Sequence, residues 1–137
     1  MADNRLDIST LTKAVTRLEE GIKRYQQDTS DTQIRDGLIQ RFEFTYEISH
    51  KMLKRQLEVI AANPEALDSL AFQDLIRSGN EAGLLRSDWP QWRRYRELRA
   101  KTTHTYSEDV ALAVVAEIPD FLQQAKYLQQ QLRERNS

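Results

Sequence analysis

One segment of the chain combines the residue types that RNA cleavage without a metal requires. Arg99 precedes His104 by five positions, and Tyr106 follows two positions later. An unperturbed imidazole, with a pKa of ~6.5, exchanges protons near neutral pH, whereas arginine is a permanently charged, forked ligand for phosphate. His104 could take the proton from a ribose 2′-hydroxyl or protonate the leaving oxygen, while Arg99 stabilises the charge that develops on the phosphate. Neighbouring candidates for phosphate or cleft contacts are Arg96, Lys101 and Thr103.

The spacing of Arg99 and His104 sets a structural condition on this chemistry. Five residues on an ideal helix place two side chains ~140° apart around the axis. The two side chains therefore converge only if the helix unwinds after Lys101, or if a second copy of the chain supplies the other group. A two-fold dimer with this segment at its interface would also provide a second histidine, one acting as base and one as acid.

The same segment has interpretations without catalysis. His104 could cap a helix end or lie in solvent, Tyr106 could simply pack, and Arg99 could form only an ion pair, with neighbours of Glu97 or with Glu108. Residues 86–106 carry six basic and two acidic residues, in a chain whose net charge is −1. Such a local basic patch can steer a phosphate to one place, or it can be the solvated face of a helix.

Helical periodicity predicts the elements that position this segment, and no strand alternation is found. The first helix carries a single apolar stripe: Leu11, Val15, Leu18, Ile22 and Tyr25. We predict stops at Asn63-Pro64 and at a glycine C-cap, Gly83, a looser helix after Lys101, and a kink or break at Pro119. The predicted helices run from about Ile8 to Gln27, Thr32 to Ala62, Leu67 to Ala82, Ser87 to Lys101 and Ser107 to Glu134. The expected fold is an all-α antiparallel bundle of about five helices.

Length and composition exclude several classes of protein. The 137 residues fit one domain, residues 1–137, with 39% hydrophobic and 30% charged residues. There are no cysteines and only two histidines, His50 and His104, so a disulfide scaffold, a thiolate zinc site and a multi-histidine metal site within one chain are not expected. We expect no metal and no cofactor. The longest apolar run, 110–116, is far shorter than a membrane span, and the N-terminus does not resemble a signal peptide, so we expect a cytoplasmic protein without membrane contact.

Four blocks in order resemble one known family. They are Phe42-Glu43-Phe44-Thr45-Tyr46-Glu47, Lys51-Met52-Leu53-Lys54, Ala82-Gly83-Leu84-Leu85 before Trp89 or Trp92, and Arg99, four residues, His104, one residue, Tyr106. Together they resemble HEPN domains of the branch encoded beside minimal nucleotidyltransferases (MNT), also called nucleotidyltransferase substrate-binding proteins. The resemblance covers most of the chain.

This resemblance implies a HEPN helical bundle that forms a homodimer, or a dimer of dimers, with the signature lining an interface cleft. Members act as metal-independent ribonuclease toxins in toxin–antitoxin pairs. The cognate MNT-type nucleotidyltransferase antitoxin transfers AMP onto the signature tyrosine, here Tyr106. By the resemblance, RNA is the substrate, Arg99 and His104 are catalytic, and no cofactor is needed.

One departure from the family pattern keeps a second interpretation open. The residue after the arginine is usually Asn or another polar residue, whereas this chain has Ala100, which cannot hydrogen-bond substrate or hold the histidine. The alternative is therefore a catalytically weak subunit that presents substrate to the nucleotidyltransferase or is only its partner. A structural adaptor without cleft chemistry is a third interpretation.

Further residues have both functional and structural interpretations. Glu43 and Glu47 share a face of the long helix, where they could contact the cleft or the nucleotidyltransferase, although ion pairing with Lys51 or Arg55 is favoured. Trp89 and Trp92 could stack on a base, although anchoring the fourth helix is favoured. His50 replaces a tryptophan common in the family, and we predict a half-buried or surface residue without a catalytic role.

Overall fold

The structure, a computed structural model, describes residues 5–137. Its α-helices are α1 (Ser9–Gln27), α2 (Thr32–Ile60), α3 (Phe72–Glu81), α4 (Trp89–Lys101) and α5 (Glu108–Arg135), with 3₁₀ segments at Pro64–Ser69 and Thr102–His104. These residues contain no strand, so the predicted all-α bundle is confirmed. Residues 1–4, part of the stretch considered for a signal peptide, lie outside the described residues. Within the described chain, no helix has the length and apolar character that crossing a membrane demands.

Helices α1 and α2 form an antiparallel pair. The Thr45 hydroxyl lies 3.4 Å from the Ala14 carbonyl oxygen, and Arg41 Nη1 donates to the Arg17 carbonyl oxygen at 2.7 Å. Later residues of α2 therefore contact earlier residues of α1. Asp31 caps the start of α2, because its carboxylate accepts hydrogen bonds from the backbone N–H groups of Gln33 and Ile34 in the first turn.

The core combines an aliphatic stripe with an aromatic cluster. The predicted stripe of α1 is buried except for Tyr25, which is only partly covered. Phe121 of α5 lies at the centre of the cluster, with edge-to-face centroid distances of 5.1 Å to Phe42, 5.1 Å to Tyr95 and 6.1 Å to Trp92. These contacts join α2, α4 and α5, and each such pair stabilises the fold by ~0.5–1.5 kcal/mol beyond its buried area.

The predicted third helix is shorter than its sequence pattern indicates. Residues Pro64–Ser69 form a 3₁₀ segment, and α3 begins only at Phe72, not at Leu67. No residue of the 3₁₀ segment is buried, and only Leu67 packs partly against the core, so little burial favours the α-helical period there. The long helix also ends at Ile60, slightly before the predicted Ala62, because Ala61 is already extended.

The glycine and proline signals have different outcomes. Gly83 has a φ of 77°, and its N–H and that of Leu84 donate to the carbonyls of Asn80 and Gly79, which confirms the predicted C-cap. Pro119 does not break the last helix, which is continuous over Glu108–Arg135. Core residues lie on both sides of this proline, and their packing outweighs the backbone hydrogen bond that it removes.

Candidate functional site

Helix α4 packs against the core through one buried stripe, and its basic residues lie on either side of that stripe. Trp92, Tyr95 and Leu98 are buried at helical spacing, so the anchoring interpretation of Trp92 is confirmed. The Tyr95 hydroxyl donates to Asp120 Oδ2 at 2.6 Å, which ties α4 to α5. Trp89 is half-buried, with its ring centroid 5.8 Å from that of Phe72.

Arg99 contacts two carboxylates of α2. Its Nη2 donates to Glu47 Oε1 at 2.5 Å, and its Nη1 lies 3.7 Å from Glu43 Oε2. The Arg99 side chain is 27% exposed, so the guanidinium lies in a shallow site that solvent reaches. This places the signature arginine against the acidic pair of the long helix.

These contacts correct two sequence-based expectations. In the described chain the ion pairs of Glu43 and Glu47 go to Arg99, not to Lys51 or Arg55. Arg99 likewise does not pair with Glu108, which binds Arg35 instead. The aromatic core sets the register of α4 against α2. In this register Arg99 lies closer to the two carboxylates than Lys51 and Arg55 do, although those two residues share a helix with them.

Thr102 links Arg99 to the turn that carries His104, and sequence reasoning missed it. Its buried hydroxyl accepts from Arg99 Nη1 at 3.0 Å and donates to the Arg99 carbonyl oxygen at 2.6 Å. The loosening predicted after Lys101 is confirmed, because Thr102–His104 forms a 3₁₀ turn. The only signal in the sequence is the run of threonines, which indicates poor helix formers but not this contact.

His104, the last residue of this turn, and Tyr106, two positions later, are both exposed. Their ring centroids are 6.2 Å apart at an interplanar angle of 77°. Tyr106 is 89% exposed, so it is not packed into the core of its own chain. Among the described residues no hydrogen bond or ion pair joins Arg99 to His104, and the two side chains are connected only through the Thr102 turn.

The other predicted contact residues differ in their surroundings. Arg96 lies over the Phe72 ring, with its guanidinium carbon 5.6 Å from the centroid. Thr103 donates its hydroxyl to the Ala100 carbonyl oxygen at 3.0 Å, and Lys101 is exposed at the end of α4.

Tyr46 of α2 is a buried member of the aromatic cluster, with its ring centroid 6.3 Å from that of Trp92. Burial raises the pKa of Tyr46 to about 12, while the positive charges of Arg96 and Arg99 act on its hydroxyl in the opposite direction.

His50 is half-buried, as predicted, beside the aromatic residues. Its ring centroid lies 4.7 Å from that of Phe72, and burial lowers the pKa of its imidazole. Throughout residues 5–137, no group of three or more His, Cys, Asp or Glu side chains is arranged to hold a metal ion.

The helical bundle with its arginine–histidine–tyrosine segment matches a known family over nearly the whole chain. The family described as "Nucleotidyltransferase substrate binding protein like" matches residues 6–134. The chain belongs to this family, as the sequence blocks predicted.

Individual relatives are similar over their full lengths. The probable ribonuclease HepT of Haemophilus influenzae is 37% identical, and the alignment covers 99% of this chain and 98% of that protein. A solved Haemophilus influenzae structure, described as revealing the fold of a substrate binding domain of a nucleotidyltransferase, superposes with a TM-score of 0.87 at 36% identity, covering 93% and 99% of the two chains. A crystal structure of a Thermus thermophilus protein superposes with a TM-score of 0.69 at 30% identity, covering 90% and 98%.

Proposed function

We propose that this protein is a HepT-like, metal-independent endoribonuclease toxin of a toxin–antitoxin pair. In this proposal Arg99 and His104 cleave RNA at a homodimer interface, and a cognate nucleotidyltransferase antitoxin neutralises the enzyme by AMPylating Tyr106. The observation that carries the proposal is the exposed His104–Tyr106 ring pair at the end of a 3₁₀ turn, whose first residue, Thr102, hydrogen-bonds Arg99. The family and the ribonuclease name of the 37% identical relative support the same activity.

The cleavage step uses the nucleophile that RNA itself supplies. His104 of one protomer takes the proton of the ribose 2′-hydroxyl, whose oxygen then forms a bond to the adjacent phosphorus. The bond from phosphorus to the 5′-oxygen breaks, leaving a 2′,3′-cyclic phosphate, and a second imidazole gives its proton to the leaving oxygen. Arg99 stabilises the negative charge on the phosphate oxygens during this exchange.

The second imidazole comes from a second copy of the chain. The other histidine of this chain, His50 of α2, is half-buried against Phe72 of α3. A two-fold dimer through α4 and the following turn brings two copies of His104 to one cleft. Sedimentation of the purified protein tests this requirement, and a monomer at micromolar concentration contradicts it.

AMPylation of Tyr106 uses its exposed phenol. The phenolic oxygen forms a bond to the α-phosphorus of ATP, the bond to the pyrophosphate leaving group breaks, and the phenolic proton goes to a base or water. At 89% exposure, Tyr106 is accessible to an external active site. The added phosphodiester places negative charge and bulk beside His104, which obstructs an incoming RNA phosphate.

RNA cleavage in EDTA is the primary test. Wild type is expected to cleave, while Arg99→Ala and His104→Ala lose cleavage and remain folded dimers. The matched control is His50→Gln, which removes the other histidine and is expected to cleave like wild type. Cleavage that survives in His104→Ala rejects the proposed site.

Mass spectrometry tests the partner reaction. Mixing the protein with its nucleotidyltransferase and ATP is expected to add AMP to Tyr106 and to lower cleavage in proportion. The control is Tyr106→Phe, which lacks the phenolic hydroxyl and is expected to stay unmodified. No addition to wild type, or addition at another tyrosine, contradicts this part of the proposal.

A second candidate function is supported by Ala100. It is exposed beside Arg99 and offers no polar side chain to substrate. In this alternative the chain is a catalytically weak partner subunit that presents substrate to the nucleotidyltransferase. Ala100→Asn is expected to raise cleavage if the missing polar contact limits the rate, and an unchanged rate shows that Ala100 is no handicap.

A further inference from the structure

The guanidinium proposed to bind RNA is already occupied by a carboxylate of its own chain. Arg99 Nη2 donates to Glu47 Oε1 at 2.5 Å, the geometry of a charge-assisted hydrogen bond. A phosphate oxygen uses the same donor at a similar distance, because carboxylate and phosphate both accept from the forked N–H groups of arginine. The position of Glu47 Oε1 therefore marks where a phosphate oxygen would bind.

We propose that Glu47 is an internal competitor for the phosphate site of Arg99, and that RNA binds by displacing it. This inference rests on the proposed function, since it concerns the same arginine. In this role Glu47 lowers the affinity for RNA, whereas a supporting contact would raise it.

Glu47, not Glu43, is the carboxylate that leaves. The Glu47 side chain is 61% exposed, so its carboxylate returns to water at little cost when the ion pair opens. Glu43 is 33% exposed and lies 3.7 Å from the opposite nitrogen, Nη1, where it remains as a counter-charge. Two carboxylates and a phosphate around one guanidinium would give the cluster an excess of negative charge. One carboxylate must therefore move away.

Thr102 keeps Arg99 in place during the exchange. Its hydroxyl accepts from Nη1 at 3.0 Å, on the nitrogen that does not bind Glu47. The guanidinium is thus held from the side of the His104 turn, while its Nη2 is released to the incoming phosphate. The exchange needs only the Glu47 side chain to change rotamer, since the helices that carry both residues are fixed by the core.

Binding of an uncleavable oligonucleotide tests the competition directly. The probe is a single-stranded oligoribonucleotide with 2′-deoxy substitutions, titrated into wild type, Glu47→Gln and Glu58→Gln at fixed ionic strength. Glu47→Gln keeps the shape and removes the charge, and it is expected to bind about threefold more tightly, the scale of an exposed ion pair. Glu58→Gln changes the net charge equally from another turn of α2 and is expected to bind like wild type.

The same titration in an Arg99→Ala background separates competition from simple repulsion. If Glu47 acts through Arg99, the gain from Glu47→Gln disappears when Arg99 is absent. A gain that persists without Arg99, an equal gain in Glu58→Gln, or no gain in Glu47→Gln overturns the proposal. Weaker binding by Glu47→Gln also overturns it, because Glu47 then positions Arg99.

Failure of this inference is distinguishable from failure of the proposed function. The titration requires no cleavage, so it reports on the Arg99 site even in an inactive protein. Conversely, cleavage that does not depend on His104 rejects the proposed chemistry and leaves the binding result intact. With active protein, the expected kinetic signature of Glu47→Gln is a KM about threefold lower, with kcat unchanged.

Discussion

Arg35 and Glu108 connect the long helix α2 to the residue that begins α5. Arg35 Nη1 donates to Glu108 Oε1 at 2.6 Å, and the arginine is buried whereas the glutamate is largely exposed. The hydrogen bond to Glu108 raises the pKa of the Arg35 guanidinium. Because Glu108 lies two positions after Tyr106, this ion pair fixes the C-terminal end of the loop that carries the proposed modification site.

Loss of the Glu108 charge is expected to destabilise the fold. Glu108→Gln leaves the buried Arg35 guanidinium with only its longer contact to Asp36, 3.7 Å from Nε, and we expect the free energy of unfolding to fall by about 1–2 kcal/mol. Urea denaturation measures the change. Asp109→Asn is the matched control, since it neutralises the adjacent acidic residue of the same helical turn without touching Arg35, and its effect should stay within about 0.5 kcal/mol. Equal effects in the two variants would show that helix-end charge, not the Arg35 contact, matters.

Removal of the Thr102 hydroxyl is expected to weaken cleavage without unfolding the bundle. Thr102→Val keeps the branched shape but leaves Arg99 Nη1 without this acceptor, so kcat/KM for RNA should fall about tenfold, as for loss of ~1.4 kcal/mol in the transition state. Thr102→Ser restores the hydroxyl and should recover most of the activity. Thr45→Val, which removes another buried threonine hydroxyl on α2, controls for stability and should cleave normally. A Thr102→Val enzyme with wild-type activity contradicts a positioning role.

The fold could be predicted where apolar spacing reflects burial. The stripe of α1 and the buried residues of α4 follow a helical period because each faces the shared core. The segment after Asn63 could not be predicted in the same way, since none of its residues is buried and it adopts 3₁₀ geometry. Continuity of α5 through Pro119 was also not evident, because tertiary packing overrides a local preference.

The candidate site could be predicted in its residue types but not in its contacts. The threonines after Lys101 correctly indicated a change of helical geometry before His104. The partners of Arg99 lie on α2, and Glu47 is 52 positions earlier in the chain. Local spacing contains no information on the register between α2 and α4, so it favoured nearer charges such as Lys51 for Glu47. Thr102 was missed because its hydroxyl contact depends on the 3₁₀ turn itself.

Acid is expected to destabilise the protein through His50. Burial lowers the pKa of this imidazole in the folded state, so the unfolded chain binds the proton more readily. Stability from the neutral His50 is therefore present above the unfolded pKa of ~6.5 and is lost as the pH falls through that value towards the folded pKa. Denaturation of wild type and His50→Gln between pH 7.5 and about 5 tests this expectation. The variant should show a shallower loss, and parallel curves for the two proteins would contradict it.

Two glycines are expected to respond in opposite directions to the same substitution. Gly83 has a φ of 77°, and a Cβ there would lie 3.2 Å from Arg135 Nη2, so Gly83→Ala should lower the free energy of unfolding by about 1 kcal/mol. Gly37 lies inside α2, where an added Cβ would meet no other part of the described chain within 4 Å, so Gly37→Ala should raise it by about 1 kcal/mol through helix propensity. The urea midpoints of the two variants, compared with that of wild type, measure both changes in one experiment. A destabilised Gly37→Ala would show that a second copy of the chain, or another partner, packs closely at this position of α2.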